Sequence, residues 1–364
     1  MLRLPGPIAQ PVPDRWHKKS TPVTGGFALL MGLLVALLAA TAAGRASLLL
    51  AYVALGASAA LTIGFLDDKR WIGPRTKFAG QIAVAAGVAV ALRPGWLPIA
   101  AAIPAGTLVL VASMNSFNFL DNIDGLSAGT AGIAAAALAL MTVVVGGDTL
   151  LVLGCAMAGS CLGFLPLNYR PGRSAALFMG DSGSHLLGLV VGASALLATG
   201  GAGGIAAEVV APLLILALPI VDTSLVIAVR LSERRPIWRG GTDHISHRLV
   251  YVGLSERGAV AALLGLEAAC AGLGLAVVAE KNALATGAAL GLVFALLLAL
   301  CSRLALVTEQ TIDLGETAAD EGQVPSEHAA LAREISASDE LDATLVDLAG
   351  EWQEVEGERR VRAN

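Results

Sequence analysis

Asp67 and Asp68 stand side by side at the end of an apolar run and are followed at once by Lys69 and Arg70. Adjacent carboxylates raise one another's pKa unless a cation intervenes. Lys69, Arg70, Arg75 and Lys77 can supply that cation, as can a divalent metal or a phosphate-bearing substrate held by one. A second cluster, NSFNFLDNIDGL, begins at Asn115 directly after the apolar stretch Ile99 to Met114. If the helix continues past Met114, Asn115, Asn118 and Asn122 fall near one face, Asp121 and Asp124 are neighbours, and Gly125 ends the helix. Amides orient ligands, and carboxylates bind a hard cation such as Mg²⁺. An aspartate at the bilayer centre costs about 2.5–3.5 kcal/mol on insertion scales, so these groups are poor candidates for decoration.

Three further stretches carry polar chemistry. FMGDSGSHLLG, from Phe178 to Gly188, sets Asp181 in a small-residue turn entering a span. The N–H groups of Gly183 and Ser184 near that helix start suit an anionic oxygen, with Asp181 beside them as a metal ligand or an ordinary cap. His185, one step inside the helix, is expected to serve packing. RRPIWRGGTDHISHRL, from Arg234, is basic throughout and spaces His244 and His247 three apart; its arginines and histidines can grip phosphates. HKKSTPVTGG, from His17, adds Lys18 and Lys19 ahead of a shaped turn.

The elements that hold these groups are helices in a membrane. Of 364 residues, 55% are apolar and only 15% charged, with a mean hydropathy of +0.72. A soluble domain would carry about a quarter charged residues. Stretches approaching the ~20 apolar residues needed to cross a bilayer recur along the chain, without the short alternation of an outer-membrane barrel. The expectation is an all-α, polytopic bundle of about ten spans: 25–43, 47–66, 78–92, 97–114, 127–146, 149–166, 184–200, 205–229, 258–279 and 283–304. Residues 1–304 form the membrane-embedded domain. Residues 305–364 form an acidic cytoplasmic tail, with fifteen acidic and four basic residues, read as flexible.

Alternating connections then fall on two faces. Outside the tail, one face carries seventeen Lys and Arg and the other three, which makes the first cytoplasmic and places both termini there. Every polar cluster lies on that same face, so they are expected to build one site. Residues 1–16 lack an apolar core, so no cleavable signal peptide is expected. Cys155, Cys161, Cys270 and Cys301 have no paired spacing and are expected to be buried packing. Asp222 and Glu267 lie inside spans; intramembrane carboxylates are functional suspects.

Carboxylates for Mg²⁺, amides for orientation and cations for phosphates, all at the mouth of a lipid-embedded bundle, make a kit for phosphoryl transfer between a soluble and a lipid-linked reactant. Taken in order, HKKSTPVTGG, GFLDD, NSFNFLDNIDGL, FMGDSGS, PIVDT and DHISHRL resemble the polyprenyl-phosphate N-acetylhexosamine-1-phosphate transferases, from His17 to about Gly258. The resemblance implies UDP-N-acetylhexosamine and polyprenyl phosphate as reactants, UMP as a product and Mg²⁺ as cofactor, with Mn²⁺ as an alternative ion. It implies Asp67 as base or acceptor-phosphate contact and Asp68 as its acidic neighbour. Asp181, with Asp121, would bind the metal. Asp121 and Asp124 would lie near the nucleotide as further catalytic residues, either being the nucleophile if transfer ran through an aspartyl-phosphate in two steps rather than by direct attack of the acceptor phosphate. Phe178 would stack on uracil, with Lys19 and Asn168 close by and Asn115 and Asn118 as further substrate contacts. His244, His247 and Arg248 would meet sugar or phosphate.

Two departures from the family pattern stand out: only sixteen proline-rich residues precede His17, where a spanning helix is usual, and Ser246 replaces the middle histidine of an H-x-H-H motif. The motif lies nearer the N-acetylglucosamine type than the phospho-N-acetylmuramoyl-pentapeptide type, which stays as the alternative. An anion transporter and a catalytically silent scaffold are rivals from other classes. Partners are the bilayer and the two substrates, with a homodimer open and nucleic acid not expected. The location is the inner (plasma) membrane.

Overall fold

The computed structural model describes residues 8–9, 21–92, 97–170, 173–199, 209–238 and 241–279. The chain divides after Leu306 into two units, and every described residue belongs to the first. Lys19, Cys301, the predicted span 283–304 and the acidic tail lie outside the described residues.

Helices dominate. In chain order they are α1 (Gly25–Ala42), α2 (Leu48–Asp68), α3 (Pro74–Leu92), α4 (Ile99–Leu120), α5 (Leu126–Val145) and α6 (Asp148–Asn168). They continue with α7 (Gly180–Ala198), α8 (Ala211–Ile215), α9 (Ala217–Ser232), α10 (Ile245–Tyr251) and α11 (Glu256–Ala279). Two dipeptide strands, β1 (Ile8–Ala9) and β2 (Thr21–Pro22), pair antiparallel ahead of α1. Among the described residues, seven helices are long and apolar enough to cross a membrane: α1, α2, α4, α5, α6, α7 and α11.

Local chemistry sets the helix ends. Ser47 caps α2 by accepting from the Leu49 N–H, and Pro74 opens α3, where its missing N–H leaves nothing unpaired. Gly125 adopts φ +85° and separates α4 from α5, a left-handed conformation that suits a residue without Cβ. The predicted span 205–229 is broken at Leu216 (φ −110°, ψ 20°) into α8 and α9. Glu267 on α11 mends the break: its carboxylate accepts from the Leu218 N–H at 3.2 Å. That contact gives the buried glutamate the role its sequence left open.

α7 is the central post. Of its most apolar window 83% is buried, against 28% for α1 at the rim. It packs against α2 and α4 above all, and reaches α1, α5 and α6 as well. Small residues allow this, as expected where lipid provides no hydrophobic drive between helices. A Cβ at Gly188 would sit 2.5 Å from the Met114 Cα, and one at Gly192 would press on Ser113. Cys161 and Cys270 are buried as expected, but Cys155 is exposed.

Candidate active site

The site grows from the junction of α2, α3 and α7. After Asp68 the chain reverses in a short turn in which Arg70 takes φ +58° and its N–H donates to the Asp67 carbonyl at 2.6 Å. α3 then starts at Pro74, and Lys77 in its first turn comes back over the end of α2. The ammonium donates to Asp67 Oδ2 at 2.7 Å and also to Asp181 Oδ2. Of the four cations near the paired aspartates in sequence, Lys77 is the one that bridges Asp67 to Asp181. Asp68 turns the other way. Its Oδ1 accepts from the Asp181 N–H at 2.9 Å and its Oδ2 from the Ser182 N–H at 3.1 Å.

The N-terminus of α7 therefore holds an anion supplied by the protein itself, through the first N–H groups of the helix. Sequence reasoning had offered the Gly183 and Ser184 N–H groups to a ligand; the structure uses those of Asp181 and Ser182 for Asp68. Asp181 is not the helix cap either: Met179 occupies that position, and the side chain that caps the helix is Asp68, reaching over from α2. Gly64 makes the contact attainable: a Cβ there would overlap the Asp181 carbonyl.

α4 brings amides to the same place. Asn118 donates to Asp181 Oδ1 at 2.9 Å and to Ser184 Oγ at 3.0 Å. One turn deeper, Asn115 donates to the Gln81 Oε1 at 3.0 Å, and the Gln81 amide meets the His185 imidazole at 2.9 Å. His185 is thus hydrogen-bonded as well as packed. The sequence reading missed Gln81, whose signal was a lone amide in an otherwise apolar helix.

α4 stops at Leu120, not at Gly125, so Asn122 and Asp124 leave the helix face the sequence suggested. Asp121 becomes the C-cap of α4, one turn past Asn118. Asn122 accepts from the Ser246 hydroxyl at 2.6 Å and so ties this turn to α10. Burial, helped by nearby Glu256, pushes the Asp124 carboxyl up to about 6. Asn168 is committed to backbone: its oxygen accepts from the Gly125 N–H at 2.7 Å and its amide donates to the Leu177 carbonyl. Phe178 is half-buried, its N–H donating to the Pro22 carbonyl and its own carbonyl accepting from the Gly25 N–H.

The histidine segment folds over the end of α9. Asp222 accepts from the Ile245 N–H at 2.8 Å and pairs with His244 Nδ1 at 2.8 Å, fixing the start of α10. His244 packs edge-on against Phe119, over which the Arg230 guanidinium also lies. Arg230, almost wholly buried, binds Asp243 at 3.0 Å, and Arg235 binds the same carboxylate. Burial pushes Asp243 up, but these two guanidinium groups outweigh it and hold the carboxyl below the usual range. Arg248 is buried and donates to the Asp243 carbonyl at 2.9 Å. Burial and the neighbouring His244 push His247 down to about 4, so at neutral pH it offers a hydrogen bond and no charge. Sequence reasoning missed both Arg230 and Asp243.

Among the described residues no group of three or more His, Cys, Asp or Glu side chains gathers as a metal centre. Asp67 and Asp181 nevertheless face one cation, the Lys77 ammonium, from two sides. Mg²⁺ is commonly held by one or two carboxylates, with water and substrate phosphate completing its shell. This pair meets that requirement.

Fold and site together define a multi-pass membrane protein that gathers carboxylates, amides and one lysine at one end of its bundle. A family model described as glycosyl transferase family 4 matches residues 50–199. A decaprenyl-phosphate N-acetylglucosaminephosphotransferase of Mycolicibacterium smegmatis is 34% identical over 296 residues, covering 70% of this chain and 71% of the relative. A probable undecaprenyl-phosphate N-acetylglucosaminyl 1-phosphate transferase of Bacillus subtilis is 32% identical, covering 69% and 72%. A phospho-N-acetylmuramoyl-pentapeptide-transferase of Desulforamulus reducens is 34% identical over a shorter stretch, 53% of this chain and 64% of the relative. The chain belongs to glycosyl transferase family 4.

Proposed function

We propose that the protein transfers N-acetylglucosamine-1-phosphate from UDP-N-acetylglucosamine to a polyprenyl phosphate at the cytoplasmic face of the plasma membrane, releasing UMP. The observation that carries this reading is the likeness to N-acetylglucosamine phosphotransferases over about 70% of the chain. The muramoyl-pentapeptide relative covers only 53%. The site supplies what such a reaction needs.

The acceptor phosphate oxygen attacks the β-phosphorus of the donor. The bond from that phosphorus to the bridging oxygen breaks, and UMP leaves with the bonding pair. A phosphate monoester is largely ionised at neutral pH, its second pKa being about 6, so the protein has mainly to position and neutralise. Lys77 supplies a fixed positive charge between Asp67 and Asp181. Asn118 orients Asp181, and Asp68 holds the α7 terminus in place. Asp67 and Asp181 would hold Mg²⁺, which when bound neutralises charge on the donor diphosphate. Asp121 and Asp124 border the same end from the α4–α5 turn. His244, His247 and Arg248 lie on the α10 side as contacts for sugar or phosphate, with Phe178, Asn168 and Asn115 as further contacts or supports.

The test is direct. Purified protein with Mg²⁺ and a polyprenyl phosphate is offered UDP-N-acetylglucosamine, UDP-N-acetylgalactosamine and UDP-N-acetylmuramoyl-pentapeptide separately. The expected result is a lipid diphosphate carrying N-acetylglucosamine, formed in step with UMP. Product from the muramoyl donor alone would replace this reading with that of the second group of relatives, and solute movement in vesicles without UMP would replace it with transport.

A further inference from the structure

The active-site contacts repeat one helical turn deeper. Lys77 and Gln81 on α3 are four residues apart, as are Asp181 and His185 on α7, while Asn118 and Asn115 on α4 are three apart. Each pair lies on one face of its helix. The upper members meet as Lys77–Asp181 and Asn118–Asp181. The lower members meet as Gln81–His185 and Asn115–Gln81. Two stacked layers therefore join the same three helices, and in the lower one His185 and Gln81 are buried, at 0% and 1% exposure, while Asn115 is partly buried.

Donor and acceptor chemistry fixes every orientation in the lower layer. The Val111 carbonyl can only accept, so the Asn115 group 2.8 Å from it is the NH₂. The same nitrogen points at Gln81, which must therefore present its carbonyl oxygen to Asn115. Gln81 is left with its NH₂ towards His185, and the imidazole Nε2 must accept. The ring proton then sits on Nδ1, which has no hydrogen-bond partner among the described residues. An apolar side chain would avoid the unpartnered Nδ1 but would leave the buried Gln81 NH₂ without its acceptor. What imidazole adds is the acceptor for Gln81.

We propose that His185, neutral and protonated on Nδ1, is a positioning residue for the transfer. Through Gln81 and Asn115 it locks the relative rotation of α3, α4 and α7, and so holds Lys77, Asn118 and Asp181 in register. This rests on the transferase reading above. Misplacement of a reacting group by about 1 Å can cost on the order of 100-fold in rate, so the effect falls on turnover more than on donor binding.

The test compares UMP release by wild type, His185→Leu and His185→Gln. His185→Leu is expected to lower kcat roughly 10–100-fold with KM for UDP-N-acetylglucosamine little changed. His185→Gln, which restores an acceptor oxygen, is expected to regain most of the loss. Wild-type turnover in His185→Leu, or equal loss in both variants, would overturn the inference. Should neither variant fold, ¹⁵N spectra of the histidine-labelled wild-type protein decide. The imidazole in contact with Gln81 should carry its proton on Nδ1, and a protonated Nε2 there would refute the assignment. A wild-type protein that releases no UMP from any donor would instead remove the transferase reading itself.

Discussion

Lys77 places one positive charge between two carboxylates that would otherwise repel across the same gap. Replacing it by methionine keeps the stem and removes the charge. Lys77→Met is expected to lower the rate of UMP release by roughly 100-fold or more, the scale seen when one preorganised electrostatic contact is lost. The same variant should bind Mg²⁺ more tightly in calorimetry, because the ammonium no longer competes for Asp67 and Asp181. Two other residues give opposite pH signatures in stability. His247 has its folded pKa depressed to about 4, so its contribution is complete above the unfolded value near 6.5 and is lost as pH falls through about 4. Asp124 has its folded pKa raised to about 6, so its contribution is complete below the unfolded value near 3.8 and is lost as pH rises through about 6. Melting temperatures across that range should show His247→Gln removing part of the acid loss and Asp124→Asn removing part of the loss towards neutral pH. At this scale the sequence told residue types well and partners poorly. Asp67 and Asp68 look equivalent in the chain, yet one faces Lys77 and the other the α7 N–H groups, a division set by helix rotation.

The helices depend on close backbone approach around α7. Gly188→Ala would drive a methyl group into α4 at Met114 and Ser113, and overpacking of this kind costs about 1–3 kcal/mol. Gly87 on α3 has open space around it, so Gly87→Ala should stabilise by up to about 1 kcal/mol through helix propensity. Thermal unfolding in detergent should therefore move the two variants in opposite directions. Among the described residues the long apolar helices were readable because a bilayer imposes length and hydropathy on each helix separately. The end of α4 was not. Nothing local in NSFNFLDNIDGL distinguishes a helix ending at Gly125 from one ending at Leu120, and the shorter helix frees Asn122 to reach Ser246. The break at Leu216 is likewise stabilised from outside, by Glu267 of α11.

Across the described part of the molecule, the polar groups of α2, α3, α4, α7, α9 and α10 collect at one end of the bundle. The cytoplasmic orientation proposed for that end rests on the positive-inside bias. A cysteine placed at Trp71, 70% exposed beside the site, should react with a membrane-impermeant maleimide in inside-out vesicles and not in intact cells, in a background with the native cysteines replaced. Labelling from outside would reverse the orientation and remove the cytoplasmic donor from the mechanism.

The amino-acid sequence alone determined that this chain crosses a membrane as helices, that its acidic and amide clusters share one end, and that their chemistry suits phosphoryl transfer. Those properties are local or follow from counting spans, because lipid leaves a helix few alternatives. Only the tertiary structure decided that Lys77 joins Asp67 to Asp181, that Asp68 holds α7, that Asp222 holds His244, and that a second hydrogen-bonded layer lies beneath the site. Each of these joins residues from different helices, and the rotation and depth at which those helices meet come from packing summed over their whole contact faces.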